Sequence, residues 1–144
     1  TPFIVNQPSY SMLNRWIEED GLDKLALSEG FGIAVFSPLY QGFLSDKYLK
    51  GIPENSRIAK GNTWIANELN EKMIEKLNSL NQIAMNRGQE LAQMALSWVL
   101  SNKSVSTVLI GASTSEQIEK NVESIFKTSF TDEEMLKIHL LISK

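Results

Sequence analysis

Two stretches of this chain carry the residue types and spacing that hold a phosphate. Ile110-Gly-Ala-Ser-Thr-Ser-Glu-Gln-Ile-Glu-Lys-Asn121 follows the β-branched run 105–110, so a strand turns through Gly111 into a helix whose free N–H groups can hold an anion. Ser113 or Thr114 can cap that helix, with Glu116 or Gln117 three residues on. Gly111 provides the turn, Ser113 a hydroxyl at the helix start, and Gln117 and Asn121 sit at i and i+4 on one helix face. The second stretch, Ile33-Ala-Val-Phe-Ser-Pro-Leu-Tyr-Gln-Gly-Phe-Leu-Ser-Asp-Lys47, leaves another strand and offers hydroxyls plus a cation, the groups a pyrophosphate needs. Together the two point to a dinucleotide.

Such loops need a scaffold, and the rest of the chain reads as one. Residues 3–6 predict a short buried strand stopped by Pro8, which cannot donate to a ladder. A helix through Leu22, Leu25, Ala26 and Glu29 should end at Gly30. Residues 33–36 form the second strand, stopped by Pro38. The interval between the two, roughly thirty residues, is that of a right-handed βαβ unit, so the strands should be parallel. Residues 40–67 contain Gly42, Gly51, Pro53 and Gly61 and little periodicity, which predicts a long functional loop, a flap over the site. Leu69, Met73, Leu77, Leu80 and Ala84 then mark one helix face closed by Arg87-Gly88, and Leu91, Met94, Ala95, Trp98 and Val99 mark another. The third strand is 105–110, followed by a helix with Ile118, Val122 and Ile125 on its apolar face. Thr131-Asp-Glu-Glu134 is a capping box opening a last helix through Met135 and Ile138. The fold class is α/β. Three parallel strands plus helices leave sheet edges unpaired, and an eight-stranded (β/α) barrel needs about 250 residues, so the chain reads as the smaller part of one.

Composition narrows the function. The chain has 144 residues, 42% hydrophobic and 22% charged, ordinary for a soluble globular chain with a sizeable core. A net charge of −3 without a Lys/Arg block argues against nucleic acid and acidic membranes, so anion binding must come from local groups. No apolar run approaches the ~20 residues of a membrane helix, and no signal peptide is evident at Thr1, which predicts a cytoplasmic protein without membrane insertion. With no cysteine and one histidine, thiolate chemistry and the usual zinc clusters are excluded. Trp16, Trp64 and Trp98 read as packing residues, with Trp64 on the flap also placed to line a substrate pocket, His139 as structural or exposed, and Glu18-Glu19-Asp20 and Asp132-Glu-Glu134 as solvated or helix-start acids favoured by the dipole. Because Thr1 stands just before the first strand, the chain is expected to begin within a fold.

Val35-Phe-Ser-Pro-Leu-Tyr-Gln-Gly-Phe-Leu-Ser-Asp-Lys-Tyr48, with Gly51-Ile-Pro-Glu-Asn-Ser-Arg57, and the motif from Val108 to Asn121 resemble the aldo-keto reductases. The branch most similar contains potassium-channel β subunits and bacterial glyceraldehyde-phosphate/methylglyoxal reductases. The likeness runs from the family's sixth barrel strand, Phe3-Ile-Val-Asn-Gln7, to its C-terminal helices. It implies the C-terminal part of a (β/α)8 TIM barrel, a single-domain fragment over 1–144, and NADPH as cofactor. By position, Gln7 matches the glutamine that bonds the nicotinamide carboxamide, and Phe36 the aromatic ring against the nicotinamide face. Ser37, Pro38, Leu39, Tyr40 and Gln41 match the loop around the pyrophosphate, and Lys47 and Arg57 the basic positions over the phosphates. Gly111, Ser113, Gln117 and Asn121 match the adenosine end. The sequence departs from the branch at Lys120, where glutamate is usual. The family's catalytic tyrosine, lysine, aspartate and histidine lie on earlier strands, and Tyr10, Tyr40, Tyr48 and His139 do not occupy their positions, so no catalytic residue is assigned here. The resemblance implies an oxidoreductase that reduces small aldehydes or ketones by hydride transfer, this chain supplying cofactor contacts, its candidate partners being the N-terminal remainder of the barrel, another chain, or further copies of itself. The alternative it allows is a non-catalytic regulatory or redox-sensing subunit of the channel-β type, and a third reading is an unrelated nucleotide-binding domain.

Overall fold

The computed structural model describes residues 3–52 and 66–143. Its three strands, β1 (Val5–Asn6), β2 (Gly32–Val35) and β3 (Val105–Val108), form one parallel sheet in the order β1-β2-β3. Val5 pairs with Gly32 and Asn6 with Ile33, and β2 meets β3 through Ile33 with Val105 and Val35 with Val108, with a register shift between Ile33 and Ala34. Parallel pairing in sequence order follows from the helical crossovers between strands.

Among the described residues, six α-helices connect and flank these strands: α1 (Trp16–Glu19), α2 (Leu22–Glu29), α3 (Glu71–Asn86), α4 (Leu91–Ser101), α5 (Ser115–Val122) and α6 (Asp132–Ile142). Gly21, at φ 81°, separates α1 from α2, and Gly30, at φ 75°, ends α2 in the left-handed conformation that glycine adopts without a Cβ penalty. The apolar stripes of α3 and α4 do what their spacing predicts. Leu77, Leu80 and Ala84 on α3 and Leu91, Met94, Ala95, Trp98 and Val99 on α4 are buried in one cluster with Ile33 and Val35 of β2 and Ile138 of α6. Thr131 and Glu134 form the reciprocal cap at the start of α6.

Four expectations need correction. Residues 3–6 are not a buried strand: only Val5 and Asn6 are in β1, and Phe3, Ile4 and Val5 are exposed, because β1 is a sheet edge with no neighbour on its far side among the described residues. Ile118, Val122 and Ile125 are 50%, 49% and 54% exposed, since α5 turns Asn121 inward instead. Trp16 is exposed and donates its indole N–H to the Ser9 carbonyl, whereas Trp98 is buried as a packing residue. Glu18 is not merely solvated: it accepts from the Tyr10 hydroxyl at 2.5 Å and pairs with Arg15. Of the long segment after Tyr40, the described part is wound into two 3-10 turns, Tyr40–Gly42 and Asp46–Tyr48, while residues 53–65, with Arg57 and Trp64, lie outside the described residues.

Candidate functional site

Parallel strands deliver their carboxyl ends to the same side, so the segments leaving β2 and β3 emerge beside each other. Between them lies a cleft of about 620 Å³, in the size range of small-molecule sites. Ser37, Pro38, Leu39, Gln41 and Lys47 line it from the β2 side. Gly111, Ser113, Gln117 and Asn121 line it from the β3 side. Nine of the thirteen positions singled out in the sequence are therefore brought together. Gln7, Phe36 and Tyr40 do not line this cleft, and Arg57 lies outside the described residues. Phe36 is 42% exposed at the end of β2, where its backbone bridges the segment after β1 through Pro8 and Tyr10.

The β2 loop is wound tightly on itself. Tyr40 N–H donates to the Ser37 carbonyl at 3.0 Å, Gly42 N–H to Leu39 at 2.9 Å and Leu44 N–H to Leu39 at 3.1 Å. Ser45 Oγ donates to the Gly42 carbonyl at 2.6 Å and accepts from Lys47 N–H at 3.4 Å, which fixes the turn that carries Lys47. Ser37, Tyr40 and Gln41 have φ of 53°, 46° and 57°, three non-glycine residues in the left-handed region within five positions. Each costs of order 1 kcal/mol or more, and such outliers collect where backbone is shaped for a ligand. Residue type gave no hint of them.

On the β3 side, Thr114 is the cap: its Oγ1 accepts from Gln117 N–H at 3.2 Å, and Gln117 Oε1 in turn accepts from Ser113 N–H at 2.8 Å. Thr114, not Ser113, thus serves the helix, leaving the Ser113 hydroxyl to the cleft. Asn121 is only 9% exposed, lines the cleft, and its carboxamide has no hydrogen-bond partner among the described residues. Its polar atoms open onto the cleft, where they are available to a ligand.

Sequence reasoning missed Ser45, Glu90 and Lys120 as lining groups. Lys120 Nζ donates to Glu90 Oε1 at 2.8 Å and lies 3.3 Å from Glu116, and these bonds hold its ammonium above the usual lysine range. Spacing of four residues could have indicated Glu116, but nothing local links Lys120 to Glu90.

Tyr40 stands beside the cleft with its ring edge-on to Phe43, and its hydroxyl is pushed up to about 12, first by burial and then by its hydrogen bond to Glu68. The folded state thus holds this proton more tightly than the unfolded chain, where a tyrosine titrates near 10. The resulting stabilisation is fully present below about pH 10 and is lost as pH rises through about 12. Tyrosinate absorbance of the intact protein is expected to show a late component that Tyr40→Phe removes, with less stability lost between those pH values. A titration curve unchanged by the substitution would contradict this.

The aldo/keto reductase family model matches residues 1–142. The chain belongs to the aldo/keto reductase family. It is 43% identical over 141 residues to L-glyceraldehyde 3-phosphate reductase of Escherichia coli O157:H7, covering 95% of this chain and 41% of that relative. It is 36% identical over 145 residues to a putative voltage-gated potassium channel subunit beta of Schizosaccharomyces pombe, covering 97% of this chain and 42% of the relative. The holo form of an aldo-keto reductase from Bacillus halodurans superposes with a TM-score of 0.71 at 26% identity, over 98% of this chain and 43% of that one. A thermostable aldo-keto reductase solved with the inhibitor epalrestat gives 0.67 at 23% identity, over 99% and 40%. The chain thus spans about two fifths of the length of the curated relatives it matches. Its three-stranded parallel sheet with flanking helices is the C-terminal part of the aldo-keto reductase (β/α)8 barrel. Among the described residues no helix is long and apolar enough to cross a membrane, and no cluster of metal-ligating side chains occurs.

Proposed function

We propose that the intact protein reduces small aldehydes or ketones with NADPH, and that this chain grips the coenzyme while groups outside it deliver the proton. The observation that carries this reading is the convergence of two separated motifs on one cleft at the strand carboxyl ends, with the Asn121 carboxamide opening onto it. The donor set fits a dinucleotide. Lys47 forms no ion pair among the described residues and so has its charge available for a phosphate, and Ser37 and Ser113 supply hydroxyls. The left-handed residues Ser37, Tyr40 and Gln41 shape the backbone that would follow the pyrophosphate. Gln7 and Phe36, exposed at the ends of β1 and β2, are assigned to the nicotinamide end, and Arg57 to the phosphates, by their positions in the motifs. When bound, the coenzyme supplies the hydride; the residues here orient it and hold its charge.

Calorimetry and steady-state kinetics on the intact protein test this together. Saturable NADPH binding and turnover of a small aldehyde such as methylglyoxal or glyceraldehyde 3-phosphate are expected. Tight binding without turnover would instead support the regulatory reading, which the channel-subunit relatives keep open. No heat of binding would dispose of both.

A further inference from the structure

Beyond β1 the chain stays beside β2 for a few residues, but the pairing is thin. Phe36 N–H donates to the Pro8 carbonyl at 3.0 Å and Tyr10 N–H to the Phe36 carbonyl at 3.3 Å, and Pro8 has no N–H to add to them. Ser9 stands opposite Phe36 in this parallel bridge, so its own carbonyl turns to the far side, the edge of the sheet. There the Trp16 indole N–H donates to it at 2.8 Å. The Ser9 hydroxyl accepts from Asn14 Nδ2 at 2.9 Å, and Asn14 is itself fixed by reciprocal backbone bonds with Ser11 at 3.0 and 3.1 Å. Strand alternation puts Gln7 and Ser9 on one face, and burial agrees: Pro8 and Tyr10 are buried, whereas Gln7 is exposed and Ser9 half-buried. Gln7, Ser9 and Phe36 thus share one surface.

We propose that Trp16, assisted by Asn14, is a positioning residue for the nicotinamide end of the site: the two grip Ser9 by its carbonyl and its hydroxyl, and so fix Phe36 and Gln7 relative to each other. The inference rests on the NADPH reading above, which assigns Gln7 and Phe36 to that end. A ring and a carboxamide can orient a ligand only while the backbone under them is held, and a displacement of about 1 Å is enough to lose much of the effect. No strand lies beyond β1 among the described residues, so the indole makes the bond that a neighbouring strand would otherwise offer the Ser9 carbonyl. Its influence is local. Neither Trp16 nor Asn14 lines the cleft between the β2 and β3 loops, so releasing Ser9 leaves the groups that face the rest of the dinucleotide in place. Trp16 is the first residue of α1 and 38% exposed, so losing its N–H opens no hole in the core.

The test measures, by calorimetry on the intact protein, the binding of NADPH and of 2′-phospho-ADP-ribose, which lacks the nicotinamide. Wild type is expected to bind NADPH more tightly than the fragment. Trp16→Phe, which keeps an aromatic ring but has no N–H, should lower NADPH affinity about three- to tenfold while changing fragment affinity by less than about twofold. Asn14→Ala should act in the same direction. Thermal melts establish which variants fold, and either one that does carries the test. Equal losses for both probes, or no loss for either, would make these residues merely structural and overturn the inference while leaving the cofactor reading standing. Equal wild-type affinities for the two probes would show that Gln7 and Phe36 do not grip the nicotinamide, and would overturn it as well. A wild-type protein that binds neither probe defeats the cofactor reading and this inference with it.

Discussion

Arg87→Met is expected to destabilise the intact protein by about 3 kcal/mol or more, near the lower end of the roughly 3–5 kcal/mol seen when one partner of a buried pair is removed. The guanidinium is 3% exposed in its side chain and is fully committed. Its Nε donates to Gln89 Oε1 at 2.9 Å, one terminal nitrogen pairs with Glu134, and the other donates to the carbonyls of Lys127 at 3.1 Å and Ser129 at 3.0 Å. The same plane lies 3.8 Å from the Phe130 ring centre. One side chain thus pins the end of α3 to the segment that opens α6, and Gln89 extends the pin by donating to Ser97 Oγ, which donates to the Ser124 carbonyl. Methionine fills much of the volume but takes the guanidinium donors from the Lys127 and Ser129 carbonyls and Gln89 Oε1, and leaves Glu134 with only its cap bond from Thr131 N–H. Glu134 is a quarter exposed and can recover some water, which sets the loss at the lower end. Arg87→Lys should rescue little, because a point charge cannot serve four acceptors in a plane. Denaturant unfolding measures both; a loss under about 1 kcal/mol for methionine would mean that these bonds contribute little net stability.

Arg87 also shows where the sequence stops being informative. Arg87-Gly88 reads correctly as a helix terminus, because φ > 0 after a helix is a local requirement that glycine meets, and Gly88 has φ 67°. Apart from Gln89, the hydrogen-bond partners of Arg87 are 40 to 47 residues away, and no local pattern encodes them. The same division runs through the fold. The stripes of α3 and α4, the Thr131 cap and the strand of β2 were readable, since period, capping and β-branching are local properties. The face of α5 was misread because periodicity says that Ile118, Val122 and Ile125 share a side, not that anything covers it. At the site, Gly111, Ser113, Gln117 and Asn121 were legible from a glycine turn and a capped helix. The left-handed Ser37, Tyr40 and Gln41 were not, because only the surrounding bonds hold them there. The pairing of Glu90 with Lys120 was hidden for the same reason as the distant partners of Arg87: Glu90 caps its own helix with Gln93, but the lysine stands on another.

Lys47→Met is expected to raise the NADPH dissociation constant by about 10- to 100-fold, with the loss of one charge-assisted bond to phosphate worth about 1.5–3 kcal/mol. Two lysines line the cleft, and their surroundings assign them different tasks. Lys120 lies between two carboxylates, which already draw on its charge. Lys47 has no carboxylate partner among the described residues; its ammonium lies 5.6 Å from the Tyr48 ring centre, on a turn that Ser45 caps. That turn follows the loop strained at Ser37, Tyr40 and Gln41, so the backbone that carries the cation is formed before any ligand arrives. Preorganisation of this kind lowers the ordering cost of binding, and its loss should appear mainly in the dissociation rate. Salt supplies the second readout, because screening weakens a bond between exposed charges. Wild-type affinity should fall from 0.05 to about 0.5 M salt more steeply than that of the variant, and Lys50→Met, an exposed charge that does not line the cleft, should behave as wild type. Equal affinities and equal salt slopes for wild type and Lys47→Met would show that the phosphates are held elsewhere, and the β2 loop would lose its place in the cofactor site.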